Sequence, residues 1–217
     1  MAELNVDKVF IVHYKKYLNR KSRIDNFLSK NNITNYQFRY FFNNDETVEN
    51  LPEELKNKYI QFSHEVLGVW KPESVHGKAC CAVKHIEILK EIAENGIDDK
   101  WYLVMEDDSL PIEDDFVNQL NYYLENVPED AEFLDMNGYC PHEEYIVNSS
   151  DLWIRKKSGR TIISYLIKKE TCKKMLKNII PVTTAIDFMY TRAISIDDIK
   201  LYWSNKPFFL INDNLPN

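Results

Sequence analysis

Three consecutive carboxylates, Glu106, Asp107 and Asp108, are the residues in this sequence best suited to chemistry. They directly follow an apolar run at 101–105, which predicts a strand buried on both faces. In open α/β sheets, ligands bind beyond the carboxyl ends of the strands. The spacing therefore places three negative charges where a ligand is expected.

Adjacent carboxylates repel one another, so a compensating charge is expected at this strand end. Mg²⁺ and Mn²⁺ prefer carboxylate oxygens and leave coordination positions open for substrate phosphates. We therefore predict a Mn²⁺ or Mg²⁺ site that neutralises a leaving diphosphate. The alternative is a solvated acidic turn before a helix. The nearby acids Glu113, Asp114 and Asp115 are expected in the first turn of the next helix, where they favour its dipole, and are given no catalytic role.

The elements that must position this triplet alternate between predicted strands and predicted helices. The predicted strands cover residues 9–12, 36–42, 101–105, 133–136, 161–167, 201–203 and 208–211. One predicted helix follows Asn19, and the others cover 52–59, 78–93, 111–124, 170–176 and 185–194. Residues 61–76 are expected to form a loop. This alternation predicts an α/β fold with a largely parallel central sheet, formed by one domain over residues 1–217.

Composition and charge exclude several classes of protein. The 217 residues are 44% hydrophobic and 28% charged, as in folded globular proteins. The net charge of −7 argues against general nucleic-acid binding, which needs a basic surface. No apolar run has the length of a transmembrane helix or a signal peptide, and the four cysteines form no CxxC pair. We expect a cytoplasmic protein in a reducing compartment.

Several segments, taken in order along the chain, resemble glycosyltransferase family 25. Residues 77–85 are similar to the family's G-x-x-G-C-x-x-S-H element, and residues 103–108 to its apolar strand followed by Glu-Asp-Asp. Cys80 and Lys84 depart from that pattern, since the family often has Gly and Ser there. The other resembling segments are 9–14 with Arg20 and Lys21, 135–138, 161–167 and 181–187.

The resemblance implies a GT-A fold, which is Rossmann-like, with a UDP-sugar donor bound through a DxD-type motif. It implies that Asp108 is the principal metal ligand. Glu106 is then expected beside the ribose or sugar of the donor and as a second ligand, and Asp107 as a support of the site. A last metal ligand near the C-terminus is expected at Asn212 or Asp213.

The resemblance also implies that the opening strand ends under the nucleobase. Val12, His13 and Tyr14 are then expected to line that pocket, and Arg20 to contact the diphosphate or base, for which a guanidinium is suited. The alternative for His13 and Tyr14 is ordinary packing at a strand end. The alternative for Arg20 is a charge on a helix surface.

Further candidate contacts to the donor lie in loops and at a predicted helix start. Asn44 and Asp45 follow the second predicted strand and either bind ribose hydroxyls or form a turn. Gly77 and Lys78 open the predicted helix 78–93, whose N-terminus attracts phosphate, although Lys78 is equally a solvated lysine. His85 lies on the apolar stripe of this helix, where we expect a satisfied core histidine rather than a ligand.

Transfer with inversion needs a base that accepts the proton of the acceptor hydroxyl. Asp187 is the candidate, because it is a single acid among apolar residues, and Asp135 is the reserve. The alternative for Asp187 is a helix N-cap or a first-turn helix acid. The expected function is metal-dependent transfer of a hexose from a UDP-sugar to a hydroxyl of a glycan or of hydroxylysine. The alternative function is a nucleotide-sugar-binding module of the same fold without turnover.

Overall fold

The computed structural model describes residues 2–40, 72–112, 114–137, 150–159 and 163–211. Seven strands form the main sheet in the order β2-β1-β3-β7-β5-β8-β6. Five of them run in one direction, and β7 and β6 run antiparallel to their neighbours. The strands are β1 (Lys8–Val12), β2 (Tyr36–Arg39), β3 (Tyr102–Glu106), β5 (Phe133–Asp135), β6 (Trp153–Lys156), β7 (Ser164–Ile167) and β8 (Leu201–Ser204).

Helices cover both faces of this sheet. They are α1 (Leu18–Lys30), α2 (Pro72–Asn95), α3 (Phe116–Glu125), α4 (Lys169–Ile179) and α5 (Ile186–Ile196). Alternate residues of β3 point to opposite faces, so Tyr102 and Val104 pack in one apolar cluster with α2, α4 and α5. Leu103 and Met105 pack in the other cluster with α1 and α3. The structure confirms the predicted α/β class.

The helix α2 is longer than its predicted range of 78–93 and begins at Pro72. Proline suits the first turn of a helix, because the N–H that it lacks has no partner there. Residues 72–76 therefore belong to this helix, and the predicted loop at 61–76 is wrong for that part; residues 61–71 lie outside the described residues. The helix ends as predicted before Gly96, where a Cβ atom would clash with the Ile92 carbonyl.

The predicted helix 111–124 is wrong at its start. Residues Ser109–Pro111 form strand β4, which pairs antiparallel with β9 (Phe209–Ile211), and the helix begins only at Phe116. The pairing brings Phe209 against Phe116, with ring centroids 5.3 Å apart, so the tertiary contact overrides the local pattern. None of the helices in the described ranges is both long and apolar enough to cross a membrane.

Candidate active site

The acidic triplet lies at the carboxyl end of β3, in the middle of the sheet. Glu106 is the last residue of the strand, and its N–H donates to the Ile163 carbonyl at 2.7 Å. The Asp107 N–H donates to the Val12 carbonyl at 3.0 Å. The backbone of the triplet is therefore fixed to neighbouring segments on both sides.

Asp107 points into the protein and is 5% exposed. His13 Nδ1 lies 2.6 Å from its Oδ2, which also accepts from the Tyr14 N–H at 3.1 Å, and Arg20 Nη1 donates to Oδ1 at 2.9 Å. Burial alone would raise the pKa of Asp107, but the hydrogen bonds from His13, Arg20 and the Tyr14 backbone hold it below its usual range. Asp107 is thus an ionised anchor between β1, α1 and β3.

Asp108 has an unsatisfied carboxylate. Its Oδ2 lies 3.3 Å from Arg20 Nη1, whereas its buried Oδ1 has no hydrogen-bond donor among the described residues. Burial and the negative charges of Glu106 and Asp107 raise the pKa of Asp108 to about 6, although Arg20 opposes the shift. A hard divalent cation supplies the charge and the coordination that such an oxygen lacks, so the residues present fit a Mn²⁺ or Mg²⁺ ion.

Glu106 points to the opposite face of the sheet from Asp107. Its Oε1 accepts from Cys81 Sγ at 3.5 Å and lies 3.2 Å from His85 Nε2. His85 is fully buried, and its Nδ1 lies 2.9 Å from the hydroxyl of Tyr165. His85 is therefore buried with a partner at each ring nitrogen, and one of these partners belongs to the acidic triplet.

The end of the opening strand lies next to the triplet. Val12 pairs in register with Glu106 but is buried in the apolar cluster under α2. His13 is also buried, and its backbone carbonyl accepts from Lys84 at 3.0 Å. Tyr14 is half-buried and contacts Tyr17 edge to face, with ring centroids 4.9 Å apart. Of the three predicted nucleobase contacts, Tyr14 has the most exposed side chain in this structure.

Two arginines of α1 approach the triplet: Arg20, which was predicted from the sequence, and Arg23, which was not. The Arg20 guanidinium lies 4.5 Å from the centre of the Tyr17 ring and pairs with Asp107 and Asp108. Arg23 donates to the Asp107 carbonyl at 2.7 Å. Burial and the neighbouring Arg20 lower the pKa of Arg23. The i, i+3 spacing on one helix face was the signal that could have identified the second arginine.

The predicted phosphate site at a helix N-terminus is not present at Gly77 and Lys78. Both residues are exposed, but α2 begins at Pro72, so they lie inside the helix where its backbone N–H groups are already paired. Burial lowers the pKa of Lys78, and the negative charge of Asp187 opposes that shift. A contact between Lys78 and phosphate therefore depends on its side chain alone.

The two candidate bases occupy different environments. Asp187 is half-buried in the first turn of α5, and its charge acts on Lys78 and on Cys81. Asp135 is 1% exposed at the end of β5, where its Oδ1 accepts from the Asn137 N–H at 3.0 Å. Strand β7 separates Asp135 from β3. Of the two candidate bases, Asp187 is therefore the one that a substrate can reach.

Four of the predicted contact residues belong to segments that the structure does not describe. Asn44, Asp45 and Asp213 lie outside the described residues, and so does Asn212. The predicted ribose contacts and the predicted last metal ligand remain predictions.

No protein-family model and no curated protein matches the sequence. A solved structure does resemble it: the crystal structure of a glycosyltransferase involved in the glycosylation of the major capsid of PBCV-1. The likeness covers 96% of this chain and 93% of that chain, with a TM-score of 0.50 and 9% sequence identity. At this identity the likeness establishes the fold alone. Over nearly its whole length, this chain has an α/β fold that a glycosyltransferase also adopts.

Proposed function

We propose that this protein is a metal-dependent glycosyltransferase that moves a hexose from a UDP-sugar to an acceptor hydroxyl. The observation that carries the proposal is Asp108: its buried Oδ1 has no donor among the described residues, and it lies beside two more carboxylates at a strand end. Such an arrangement is costly without a cation. The shared fold is consistent with this activity but does not assign it.

The proposed metal site uses alternate residues of the triplet. Asp108 would hold Mn²⁺ or Mg²⁺, with Glu106 beside it, while the buried Asp107 fixes the backbone between them. When bound, the ion would supply charge neutralisation for the departing UDP diphosphate. We also propose that Asp213, which lies outside the described residues, completes the ligand set.

Positive charge next to the triplet suits the diphosphate. Arg20 lies 3.3 Å from Asp108, and Arg23 is held on the same face of α1 by the Asp107 carbonyl. The Nε atoms of both arginines and Nη1 of Arg23 are buried, with no acceptor among the described residues. Guanidinium N–H groups match phosphate oxygens in geometry and charge. We propose that these two arginines bind the diphosphate.

The proposed proton acceptor is Asp187. In a single displacement with inversion, the acceptor oxygen forms a bond to the anomeric carbon, the bond from that carbon to UDP breaks, and the hydroxyl proton passes to the base. Asp187 lies on the α2 side of the sheet, where its charge acts on Lys78 and Cys81 beside Glu106. The acceptor is a glycan or a hydroxylated protein, as in the two branches of glycosyltransferase family 25, which the motifs resemble.

A second function remains a candidate because one observation favours it. Arg20 already pairs with both Asp107 and Asp108, so the triplet is partly neutralised without a metal. A nucleotide-sugar-binding module without turnover would need no further charge compensation. The two functions differ in whether UDP is released.

Calorimetric titration with UDP, with and without Mn²⁺, tests the metal site. We expect UDP binding that requires Mn²⁺ and is abolished by Asp108→Ala. The matched control is Asp114→Asn, which removes a surface carboxylate paired with Lys30 and should bind as the wild type does. Metal-independent UDP binding, or none, would contradict the proposed site. Release of UDP from a panel of UDP-sugars then separates the enzyme from the binding module.

A further inference from the structure

A second group of metal-ligating side chains lies on the other face of β3 from Asp107. Cys81 and His85 come from α2, and Glu106 comes from the strand end. One ligand atom from each of the three lies within 4.8 Å of the other two. Cys81 forms no disulfide. The cluster therefore combines a thiol, an imidazole and a carboxylate around one point.

The two separations that involve Glu106 match those of a tetrahedral zinc site, and the third, between Cys81 Sγ and His85 Nε2, is at most 4.8 Å. With a Zn–S bond of about 2.3 Å and Zn–N and Zn–O bonds of about 2.1 Å, tetrahedral angles place S and O about 3.6 Å apart and N and O about 3.4 Å apart. Cys81 Sγ lies 3.5 Å and His85 Nε2 lies 3.2 Å from Glu106 Oε1. Binding would thus require shifts of only about 0.2 Å in these separations.

The fold holds these ligands in place. Cys81 and His85 are four residues apart, so they lie on one face of α2. The backbone N–H of Glu106 is tied to Ile163, which fixes the strand end opposite that face. His85 is fully buried, and its orientation is set by the contact of its Nδ1 with Tyr165, whose hydroxyl lies 3.0 Å from that of Tyr190. Metal-bound histidines usually have such a partner on the second ring nitrogen.

We propose that Cys81, His85 and Glu106 bind a zinc ion, with a fourth position open to water or another ligand. The thiol selects a borderline metal such as Zn²⁺ over Mg²⁺ or Mn²⁺, so this site differs in chemistry from the one proposed at Asp108. It goes beyond sugar transfer and does not depend on it, although the two sites share Glu106: Oε1 would bind the zinc ion, which leaves Oε2 for the ion proposed at Asp108. Its expected effect is to fix α2 to β3 and to hold Oε1 of Glu106.

Zinc binding requires a rearrangement of protons. The Cys81 thiol gives up its proton to solvent, and His85 Nε2 must be without a proton to bind the metal. The Nδ1–H of His85 then donates to the Tyr165 oxygen, and Tyr165 donates to Tyr190. Because the thiol must lose its proton to bind the metal, zinc affinity should increase with pH.

Cobalt substitution in the full-length protein tests the site. After removal of bound metals with a chelator, we expect one Co²⁺ to bind with the near-ultraviolet charge-transfer band of a thiolate ligand, and one equivalent of Zn²⁺ to displace it. Cys81→Ser should abolish the band, and His85→Gln should weaken cobalt binding more than about tenfold. Cys80→Ser, the adjacent buried cysteine, is the matched control and should keep the band.

If a variant fails to fold, the cobalt spectrum of the wild-type protein still tests the proposed site. A lack of the thiolate band at saturating Co²⁺ overturns the proposal, as does a band that persists in Cys81→Ser. Asp108→Asn should retain the cobalt band in full, because its carboxylate is not among the three ligands. This variant separates the two sites, so failure of UDP binding in the wild type leaves the zinc result intact.

Discussion

Asp107 and Asp108 are adjacent in the chain, yet their carboxylates lie in opposite electrostatic environments. Asp107 is bonded to His13 Nδ1 at 2.6 Å, to the Tyr14 N–H and to Arg20, whereas Asp108 Oδ1 is buried with no donor among the described residues. The pKa of Asp107 is lowered and that of Asp108 is raised to about 6. One residue thus stabilises the fold in its ionised form, and the other destabilises it.

Asp108→Asn is expected to stabilise the metal-free protein. The native pKa of about 6 lies above the unfolded value, so ionisation of the carboxylate increasingly disfavours folding as the pH rises between these two values. The shift corresponds to about 3 kcal/mol, and partial solvation of the side chain reduces the expected gain to about 1–2 kcal/mol, or roughly 2–8 °C in Tm. The gain should be largest near about pH 8 and should vanish as the pH falls toward about 4. Thermal unfolding across this range measures it.

The control for this measurement is Asp114→Asn. Asp114 is almost fully exposed and ion-paired with Lys30, so its loss should change Tm little at any pH. If the metal-free wild type is more stable than Asp108→Asn near about pH 8, ionised Asp108 does not destabilise the fold as proposed. Addition of Mn²⁺ should reverse the order of stability, because only the wild type binds it.

Asp107→Asn is expected to destabilise the protein by about 2–3 kcal/mol, because it removes the principal partner of the half-buried Arg20 guanidinium, which keeps only Asp108. The lowered native pKa means that Asp107 contributes stability at neutral pH, and that this contribution is lost as the pH falls through the native pKa. Urea unfolding at neutral pH gives the difference in unfolding free energy. A loss below about 1 kcal/mol would show that the network around Asp107 is not what holds β1, α1 and β3 together.

The features that were predictable from the sequence are those with a local physical cause. The apolar run before Glu106 predicted a buried strand, and the period of two of a strand places Glu106 and Asp107 on opposite faces. The α/β class follows from the alternation of strand-type and helix-type hydrophobic patterns along the chain. Each pattern arises because one side of the strand or helix is buried. Gly96 ends α2 where the backbone of Ile92 leaves no room for a Cβ atom.

The features that were not predictable depend on contacts between distant segments. The helix α3 begins at Phe116 and not at the predicted residue 111, because β4 pairs with β9, which lies about 100 residues further along the chain. The contact between His85 and Glu106 and the support of Asp107 by Arg23 both join a helix to the strand end. No local pattern states which of three consecutive acids has a partner, because the partners come from α1, α2 and β1.

Arg20→Met is expected to have opposite effects on the metal and on the nucleotide. Arg20 lies beside Asp108 and lowers its pKa, so its removal should raise that pKa further. Near about pH 8, where Asp108 is ionised in both proteins, loss of the guanidinium charge should strengthen binding of Mn²⁺ alone by about 1 kcal/mol, or roughly fivefold. UDP binding in the presence of Mn²⁺ should weaken by a similar factor or more, because a diphosphate contact is lost. Calorimetry measures both affinities.

The control is Lys21→Met, which removes a neighbouring charge that pairs with Asp25 and not with the triplet. Both affinities should remain near the wild-type values in that variant. Weaker binding of Mn²⁺ in Arg20→Met would show that Arg20 supports the metal site and does not compete with it.

Asp187→Asn separates binding from turnover. If Asp187 accepts the proton of the acceptor hydroxyl, the amide should lower kcat by about 10²–10⁴-fold, while the affinity for UDP with Mn²⁺ stays within about twofold of the wild type. The matched control is Asp198→Asn, an exposed acid paired with Lys200 at a positive φ that asparagine also tolerates. Release of UDP from the preferred donor with and without acceptor gives kcat for transfer and for hydrolysis. An unchanged kcat for transfer in Asp187→Asn would show that Asp187 is not the base. Hydrolysis proceeds without the acceptor hydroxyl, so an equal loss of kcat for transfer and for hydrolysis would show that Asp187 positions the donor instead.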